Sequence, residues 1–407
     1  MRTIIKIAWR NLWRNKLRTV VLLTSIVMGL WGGIFFIGMI EGMNSLRISS
    51  AIDTYLAHLQ IHNKKYIENP ELTHFINSPE KYINRIHKEK FVTGYSTRII
   101  TDAMSSSAKA SYPVKLIGID PEREKEVSII PSHLIEGSYF EKFKKPSLVI
   151  GKSLADKLGV KKFSKLKVSF SNPKGDILSY AFRIEGIYKI NNSRIEKSGV
   201  YIKQSDLSKI LGLEPNSFNE IAIKTDNIHR VKKYKKAFAG IETGNLVQTW
   251  DEIDPELGYA QDMMMTFTWI FMGIIMVALG FGIINAMLMA ILERKRELGI
   301  MMAIGFNKKR LFWMIVMETI FLISIATPLG LFLSYRTISY FGEHGLKLSG
   351  VEQGMEAFGI GSTLYLNLPA KYYVMISLLT ISVSFLAALY PAYKALKIQP
   401  VEAIREI

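Results

Sequence analysis

Four long apolar stretches divide the 407-residue sequence and constrain its fold more than any other feature. They occupy residues 20–40, 263–292, 311–335 and 372–389. Each is close to the roughly 20 residues that a helix needs to cross the hydrocarbon of a bilayer. The polar block of residues 41–262 between the first two stretches is long enough to bury a core of its own.

The distribution of positive charge predicts the orientation of these spans. The net charge is +17, but the cations are not gathered into a nucleic-acid-binding patch. Residues 1–19 hold six Lys and Arg residues, residues 291–310 hold six, and residues 336–371 hold only three. Because short cytosolic segments carry the excess of Lys and Arg, both termini and residues 293–310 are predicted to lie in the cytosol.

The polar block alternates between strand-like and helix-like patterns. "YPVKLIGID" is typical of a strand, "PSLVIGKSLADKLGV" of a strand followed by a helix, and residues 173–176 of a hairpin turn. "VYIKQSDLSKILGL" predicts a strand and then a helix capped near Ser205. We therefore expect an α-helical membrane protein with four transmembrane helices and a large α+β extracytoplasmic domain inserted between helices 1 and 2.

These patterns predict nine segments. In chain order they are a cytosolic amphipathic helix (1–19), transmembrane helix 1 (20–40), an extracytoplasmic α+β domain with its stalk (41–262), transmembrane helix 2 (263–292), a charged cytosolic loop (293–310), transmembrane helix 3 (311–335), an extracytoplasmic loop (336–371), transmembrane helix 4 (372–389) and a cytosolic tail (390–407).

Small and polar residues inside the spans mark contacts between helices. Two GxxxG pairs, Gly29 with Gly33 and Gly38 with Gly42, allow the first span to pack closely on another helix. Asn285 and Glu318 lie at equal depth from the same side, roughly 12–13 Å from the nearest arginine at 1.5 Å per residue. A lone carboxylate is costly there, so we predict that the two pair within one chain or across a dimer. The alternative is that Glu318 reaches the interface or a water-filled gap.

Catalytic and metal chemistry of the chain's own is not expected. The sequence has no cysteine and no intact G-x-S-x-G or HExxH motif. "PSLVIGKS" resembles a Walker A loop but has Pro146 where glycine is required, and proline cannot donate an N–H to phosphate. We expect no catalytic residue, no metal and no cofactor bound by this chain.

The segment "ERKRELGIMMAIG", residues 293–305, is more ordered than a plain positive loop requires. Glu293 and Glu297 are one helical turn apart, and Leu298, Met301 and Met302 form an expected apolar patch. Gly305 is placed to end this short helix in the left-handed conformation.

This segment also carries a family resemblance. "IINAMLMAILERKRELGIMMAIG" resembles the signature of the MacB/FtsX/Lol superfamily of ABC-transporter permeases. "MRTIIKIAWRNLWRNKLRT" is similar to its elbow, and "ALYPAYKALKIQPVEAIREI" to its C-terminal signature. The resemblance covers nearly the whole chain and is closest to the lipoprotein-releasing (LolC/LolE-type) permeases.

The resemblance implies a non-catalytic subunit driven by two separate cytosolic ABC ATPase subunits, which bind ATP and Mg, and paired with a second permease chain, identical or paralogous. It assigns the ATPase-coupling role to matching positions here: Glu293, Arg294, Arg296, Glu297, Gly299 and Gly305. The location that it implies is the bacterial inner membrane.

The expected activity is extraction of lipoproteins from that membrane for transfer to a periplasmic carrier, with membrane lipid and no nucleic acid as further partners. A MacB-like peptide or drug exporter and an FtsX-like regulator of cell-wall hydrolases remain alternatives. The candidate acyl-chain contacts on the first span are Gly32, Phe35, Phe36 and Met39. Lipid-facing or dimer packing is the alternative role for these four residues.

Overall fold

The computed structural model describes residues 2–143, 145–190, 192–241, 243–347 and 363–399, without the side chains of residues 2, 3 and 18. The chain divides into two compact units. The helical unit comprises Met1–Asn44, Asp262–Lys347 and Thr363–Ile407, and the sheet unit includes Ser45–Gln261. Residues 348–362 of the predicted extracytoplasmic loop and 400–407 of the C-terminal signature lie outside the described residues.

The helical unit is built from long apolar helices. Within the described residues, four helices are long and apolar enough to cross a membrane. Each contains one of the four predicted spans. The helices that make up or enter this unit are α1 (Arg2–Arg14), α2 (Lys16–Ala51), α11 (Pro255–Glu293), α12 (Lys295–Ala303), α13 (Lys308–His344) and α14 (Ala370–Ala395).

These helices extend beyond the apolar spans. α2 continues past residue 40 to Ala51, and a single π turn, Ile52–Leu56, follows it. Hydropathy predicts only the apolar part of a helix that would lie in lipid. The helix itself continues further because residues 41–51 contain no proline that would end it. The result is the helical stalk expected after the first span. α13 likewise runs to His344, where Gly345 at φ +71° ends it.

The predicted loop after the third span is therefore shorter than residues 336–371. Its first nine residues belong to α13, and α14 begins at Ala370. Between them lies a two-stranded antiparallel ladder of β11 (Leu346–Lys347) and β12 (Thr363–Leu364), in which Leu346 pairs with Leu364.

The sheet unit has a mixed ten-stranded sheet. Its strands are β1 (Leu59–Asn63), β2 (Val92–Ser106), β3 (Ser111–Ile119), β4 (Leu134–Gly137), β5 (Ser147–Gly151), β6 (Lys165–Ser171), β7 (Ile177–Tyr188), β8 (Gly199–Lys203), β9 (Glu220–Thr225) and β10 (Asn245–Thr249). The helices are α3 (Lys64–Glu68), α4 (Pro79–Ile86), α5 (Pro121–Val127), α6 (Lys152–Leu158), α7 (Ser193–Ser198), α8 (Gln204–Leu211), α9 (Val231–Lys235) and α10 (Trp250–Ile253).

Six of these strands close on themselves. β2 pairs with β3, β3 with β8, β8 with β5, β5 with β7, β7 with β6, and β6 again with β2. Closure removes the free edges that an open sheet would expose. From the ring, the sheet continues from β2 through β9 and β1 to β10, and on the other side β4 pairs with β7.

The pattern of burial explains which strand predictions succeed. β6 alternates between exposed and buried residues, and the predicted hairpin joins it to β7, with Ser171 opposite Ile177. In β1 the polar residues Gln60 and His62 are as buried as their apolar neighbours, because β1 lies between β9 and β10. The helix after β8 begins at Gln204 behind Lys203, which makes no side-chain cap, so the predicted cap at Ser205 is wrong. The strand leads directly into the helix there.

Arg98 is the centre of a buried ionic cluster in the sheet unit. It donates two hydrogen bonds to Glu124 on α5, at 2.7 and 3.1 Å, and one to Glu220 on β9, at 2.7 Å. His62 on β1 contacts the other oxygen of Glu220 at 3.2 Å. Burial opposes ionisation of Glu220, but Arg98 and His62 outweigh it and hold the pKa of this carboxyl below its ordinary value.

The same arginine links the sheet to the end of the stalk. Its Nη1 donates to the backbone carbonyl of Tyr55 in the π turn, at 2.8 Å. The side chain of Arg98 thus donates hydrogen bonds to three segments that are distant in sequence.

Replacing Arg98 with methionine should destabilise the sheet unit by about 3–5 kcal/mol, because two buried carboxylates lose their counter-charge. A urea titration of the detergent-solubilised chain measures the free energy of unfolding. The matched control is Arg85→Met, which removes a half-exposed i,i+4 pair with Glu89. It should cost about 0.3–0.5 kcal/mol. Equal effects of the two substitutions would contradict this account.

Candidate coupling site

Residues 293–305, here called the coupling segment, form a short helix set off from α11 by one residue. α11 ends at Glu293, Arg294 adopts a non-helical conformation, and α12 covers Lys295–Ala303. The Leu298 amide still donates to the Arg294 carbonyl at 3.0 Å. The break therefore separates two helices while keeping the hydrogen-bonded chain almost continuous.

Gly305 terminates this helix. It has φ +92°, its amide donates to the Met302 carbonyl at 3.1 Å, and the Phe306 amide donates to the Met301 carbonyl at 2.9 Å. This is the Schellman pattern, which favours glycine at the left-handed position. Asn307 then caps α13 by accepting from the Lys309 amide.

The exposed face of the segment differs from the predicted one. Leu298 is only 4% exposed and Gly299 is buried, so neither belongs to an outward apolar patch. The helix turns these two positions toward the rest of the unit. Met301 and Met302 are half-buried, and the exposed residues are Glu293, Arg296, Glu297, Ile300, Ala303, Ile304 and Gly305.

Arg294 faces inward and pairs with Glu318. Its Nη1 donates to both carboxylate oxygens, at 2.9 and 3.1 Å. The side chains are 12% and 4% exposed, respectively. A guanidinium on a long stem can thus reach the carboxylate that the sequence places inside the third span. This role differs from a contact with an ATPase.

The predicted pair of Asn285 and Glu318 is wrong within one chain. Arg294 occupies the carboxylate, and Asn285 is exposed on α11 with no hydrogen bond to any residue that the structure describes. Equal depth along two helices does not determine which way each side chain points. Pairing of these residues between two copies stays a prediction.

A second ion pair ties the coupling segment to the elbow helix α1. Arg14 donates to Glu297, and Glu297 also lies 3.8 Å from the Nε of Arg294. The Nη2 of Arg294 reaches the Asn11 carbonyl at 3.5 Å. Glu318, Arg294, Glu297 and Arg14 thus form one charged chain across α13, α12 and α1. A cleft of about 400 Å³ separates α1 from α12 beside it.

The four glycines of the first span face three different neighbours. A Cβ on Gly33 would lie 2.7 Å from Ile275 Cγ2, and one on Gly29 would lie 3.6 Å from Leu279, both on α11. A Cβ on Gly38 would lie 3.0 Å from Ile338 on α13. At Gly42 it would be 2.6 Å from the Tyr365 carbonyl. All four contacts lie within one chain.

The candidate acyl-chain residues are divided between the same two sides. Phe35 contacts Phe341 on α13, whereas Phe36 contacts Phe271 on α11. Gly32 has open space around it, and Met39 is half-buried. An apolar cavity of about 320 Å³ lies between α2 and α11, but it is lined near Leu22, Ile26 and Gly29 rather than by these four residues.

Among the described residues, no group of three or more His, Asp or Glu side chains is arranged so that it could hold a metal ion. His58 and His62 are engaged separately, with Thr225 and Glu220.

Comparison with known proteins identifies the class of the chain. Residues 269–400 match the FtsX-like permease C-terminal family. This range includes the coupling segment, the later part of α11 before it and α13 after it. These matches support the resemblance of the chain to the MacB/FtsX/Lol superfamily of ABC-transporter permeases. The permeases of this superfamily are non-catalytic transmembrane components.

Several named permeases are similar over most of their length. The lipoprotein-releasing system transmembrane protein LolC of Xylella fastidiosa is 23% identical over 77% of this chain and 78% of its own. LolE of Haemophilus influenzae is 20% identical over 94% and 93%. The ABC transporter permease YtrF of Bacillus subtilis is 28% identical over 59% and 56%. The periplasmic region of MacB from Actinobacillus actinomycetemcomitans matches 52% of this chain and 95% of its own, at 15% identity and a TM-score of 0.35.

Gly33→Ala should destabilise the permease relative to Gly32→Ala by about 1–3 kcal/mol, because the added methyl overlaps the stiff branch of Ile275. Both substitutions gain the same helix propensity, about 1 kcal/mol. Gly32→Ala is therefore the matched control, and it should be neutral or slightly stabilising. Thermal unfolding of the solubilised chain distinguishes them; equal unfolding temperatures would show that α2 and α11 are not packed as described.

Proposed function

We propose that this permease transmits ATP-driven motion from the cytosol to its sheet unit and thereby extracts lipoproteins from the bacterial inner membrane for a periplasmic carrier. In this topology both termini and the coupling segment are cytosolic, and the sheet unit is periplasmic. The distribution of Lys and Arg supports this orientation.

The single observation that carries the proposal is the form of the coupling segment. It is a short helix with charged and apolar residues exposed on one side and the buried Arg294–Glu318 pair on the other. A displacement of its exposed face would therefore be passed directly to α13. Arg296, Glu297, Ile300 and Ile304 are the residues that we assign to the ATPase contact.

The energy source in this proposal is a pair of separate ABC ATPase subunits. They would bind ATP and Mg, and the permease would bind no cofactor. A second permease chain, identical or paralogous, completes the complex. Glu293 and Gly305 then set the two ends of the coupling segment, since α11 ends at Glu293 and Gly305 terminates α12.

The choice of lipoprotein as substrate is supported by the similarity to the LolC and LolE proteins, which covers three quarters or more of the chain. Gly32, Phe35, Phe36 and Met39 remain our proposed acyl-chain contacts. The cavity beside Gly29 offers a second apolar space for the same ligand.

Purification of the native complex, followed by mass spectrometry of everything retained, tests the proposal. We expect an ABC ATPase together with a lipoprotein or its carrier. The absence of any ATPase would reject the proposal as a whole. An ATPase accompanied by a cell-wall hydrolase or by an export duct would replace lipoprotein release with one of the alternative activities.

Arg296→Glu should abolish ATP-dependent lipoprotein release while the protein still inserts, because the reversal places a negative charge on the exposed contact face. Release is measured as lipoprotein transferred from proteoliposomes to a soluble carrier. The matched control is Lys174→Glu, the same charge reversal at an exposed turn of the sheet unit. It should retain release; unchanged release by the Arg296 variant would count against the proposed contact.

A further inference from the structure

The elbow helix α1 presents three parallel rows of side chains, each spaced four residues apart. Successive residues on a helix are about 100° apart, so the three rows lie side by side. The first row is buried: Ile4, Ala8 and Leu12. The second is apolar yet 42–46% exposed: Ile5, Trp9 and Trp13. The third is cationic and exposed: Lys6, Arg10 and Arg14.

The exposed apolar row lies on the side of the apolar helices. The ring of Trp9 meets Phe321 of α13 edge-on, with centroids 5.4 Å apart, and meets Trp13 at 6.0 Å. α13 is one of the four helices suited to cross a membrane. Indole rings at such a boundary are typical of the headgroup zone, where one end is apolar and the other is hydrated.

The cationic row follows immediately, on the side turned away from the buried row. Among the described residues, neither Lys6 nor Arg10 contacts a carboxylate. Arg10, Asn11, Trp13 and Arg14 line a shallow cleft of about 410 Å³ together with Ile7. Guanidinium and amide donors beside an indole ring are suited to binding a phosphate.

We propose that α1 is a binding surface for anionic phospholipid. Lys6 and Arg10 contact the phosphates, and Ile5, Trp9 and Trp13 enter the acyl boundary. An amphipathic helix with cations on one face and aromatic residues on the other lies in the interface in this way. Because the row of Ile4, Ala8 and Leu12 is buried, the adjacent apolar and cationic rows are the face of α1 that is left to meet the lipid.

The contacts of α1 extend this binding to the coupling segment. Arg14 pairs with Glu297, and the Asn11 carbonyl accepts from Arg294. Lipid that holds α1 in place therefore also restrains α12. The restraint on α12 follows from contacts within this chain. Only the identity of the partner that α12 contacts rests on the proposed function.

Hydrogen–deuterium exchange of the full chain in nanodiscs tests the proposal. The discs contain phosphatidylcholine alone or phosphatidylcholine with phosphatidylglycerol. We expect phosphatidylglycerol to slow exchange in both α1 and α12. The Lys6→Gln/Arg10→Gln variant should lose this response in both helices, because each cation near an anionic surface strengthens lipid binding about fivefold, which is about thirtyfold for two cations.

Two further variants complete the test. Glu297→Gln, which removes the pair with Arg14 without touching the cationic row, should retain the response in α1 and weaken it in α12. Lys308→Gln/Lys309→Gln, which removes two exposed cations beyond Gly305, is the matched control and should respond like the wild type. No effect of phosphatidylglycerol on α1 in the wild type would overturn the lipid surface, as would co-purification of an ATPase that depends on Lys6 and Arg10 without any lipid response. A response of α12 that stays at the wild-type level in Glu297→Gln would overturn the relay.

Discussion

The ion pair between Arg294 and Glu318 is the interaction on which the cytosol-facing architecture that we propose depends. Glu318 has a short side chain and is almost completely buried in a helix of apolar residues. A single charge in such surroundings is costly, and a paired one is tolerated only with good geometry. Arg294 supplies that geometry from the residue at which α11 gives way to α12. The position of the coupling segment is therefore fixed by the need to neutralise a charge two helices away in sequence.

Close packing makes the rest of the helical unit respond to this pair. Gly33 brings α2 against α11, Gly38 brings it against α13, and Gly330 of α13 lies against Leu30. Lipid provides no hydrophobic force between helices, so such small residues allow the contacts that hold them together. The elbow helix joins the same assembly through Arg14 and Glu297. A displacement at α12 thus meets a connected set of helices and not an isolated loop.

Much of this organisation could be predicted from the sequence, and the failures have common causes. Hydropathy located all four long helices, and Gly305 marked the end of α12, because both depend on local properties of the chain. The direction of a side chain depends on neighbours that are distant in sequence. For that reason Arg294 and Leu298 were expected to face outward but face inward, and Asn285 does not reach Glu318 within the chain.

The sheet unit shows the same limit. The hairpin at residues 173–176 follows from its turn residues, whereas the closed ring requires β6 to meet both β2 and β7. The sequence does indicate the buried cluster around Arg98, since "YSTRII" places an arginine within an otherwise uncharged stretch of strand. Its partners, Glu124 and Glu220, lie on elements that only the tertiary fold brings together.

A double-mutant cycle on Arg294 and Glu318 tests the central claim most directly, with the free energy of unfolding in detergent as the measured quantity. Arg294→Met should be the most damaging change, by about 3–5 kcal/mol, because it leaves the buried carboxylate unpaired. Glu318→Met should cost less, since the longer arginine can turn toward water. The double variant should be more stable than Arg294→Met alone. Additive losses in the double variant would show that the two side chains do not depend on each other and would contradict the account.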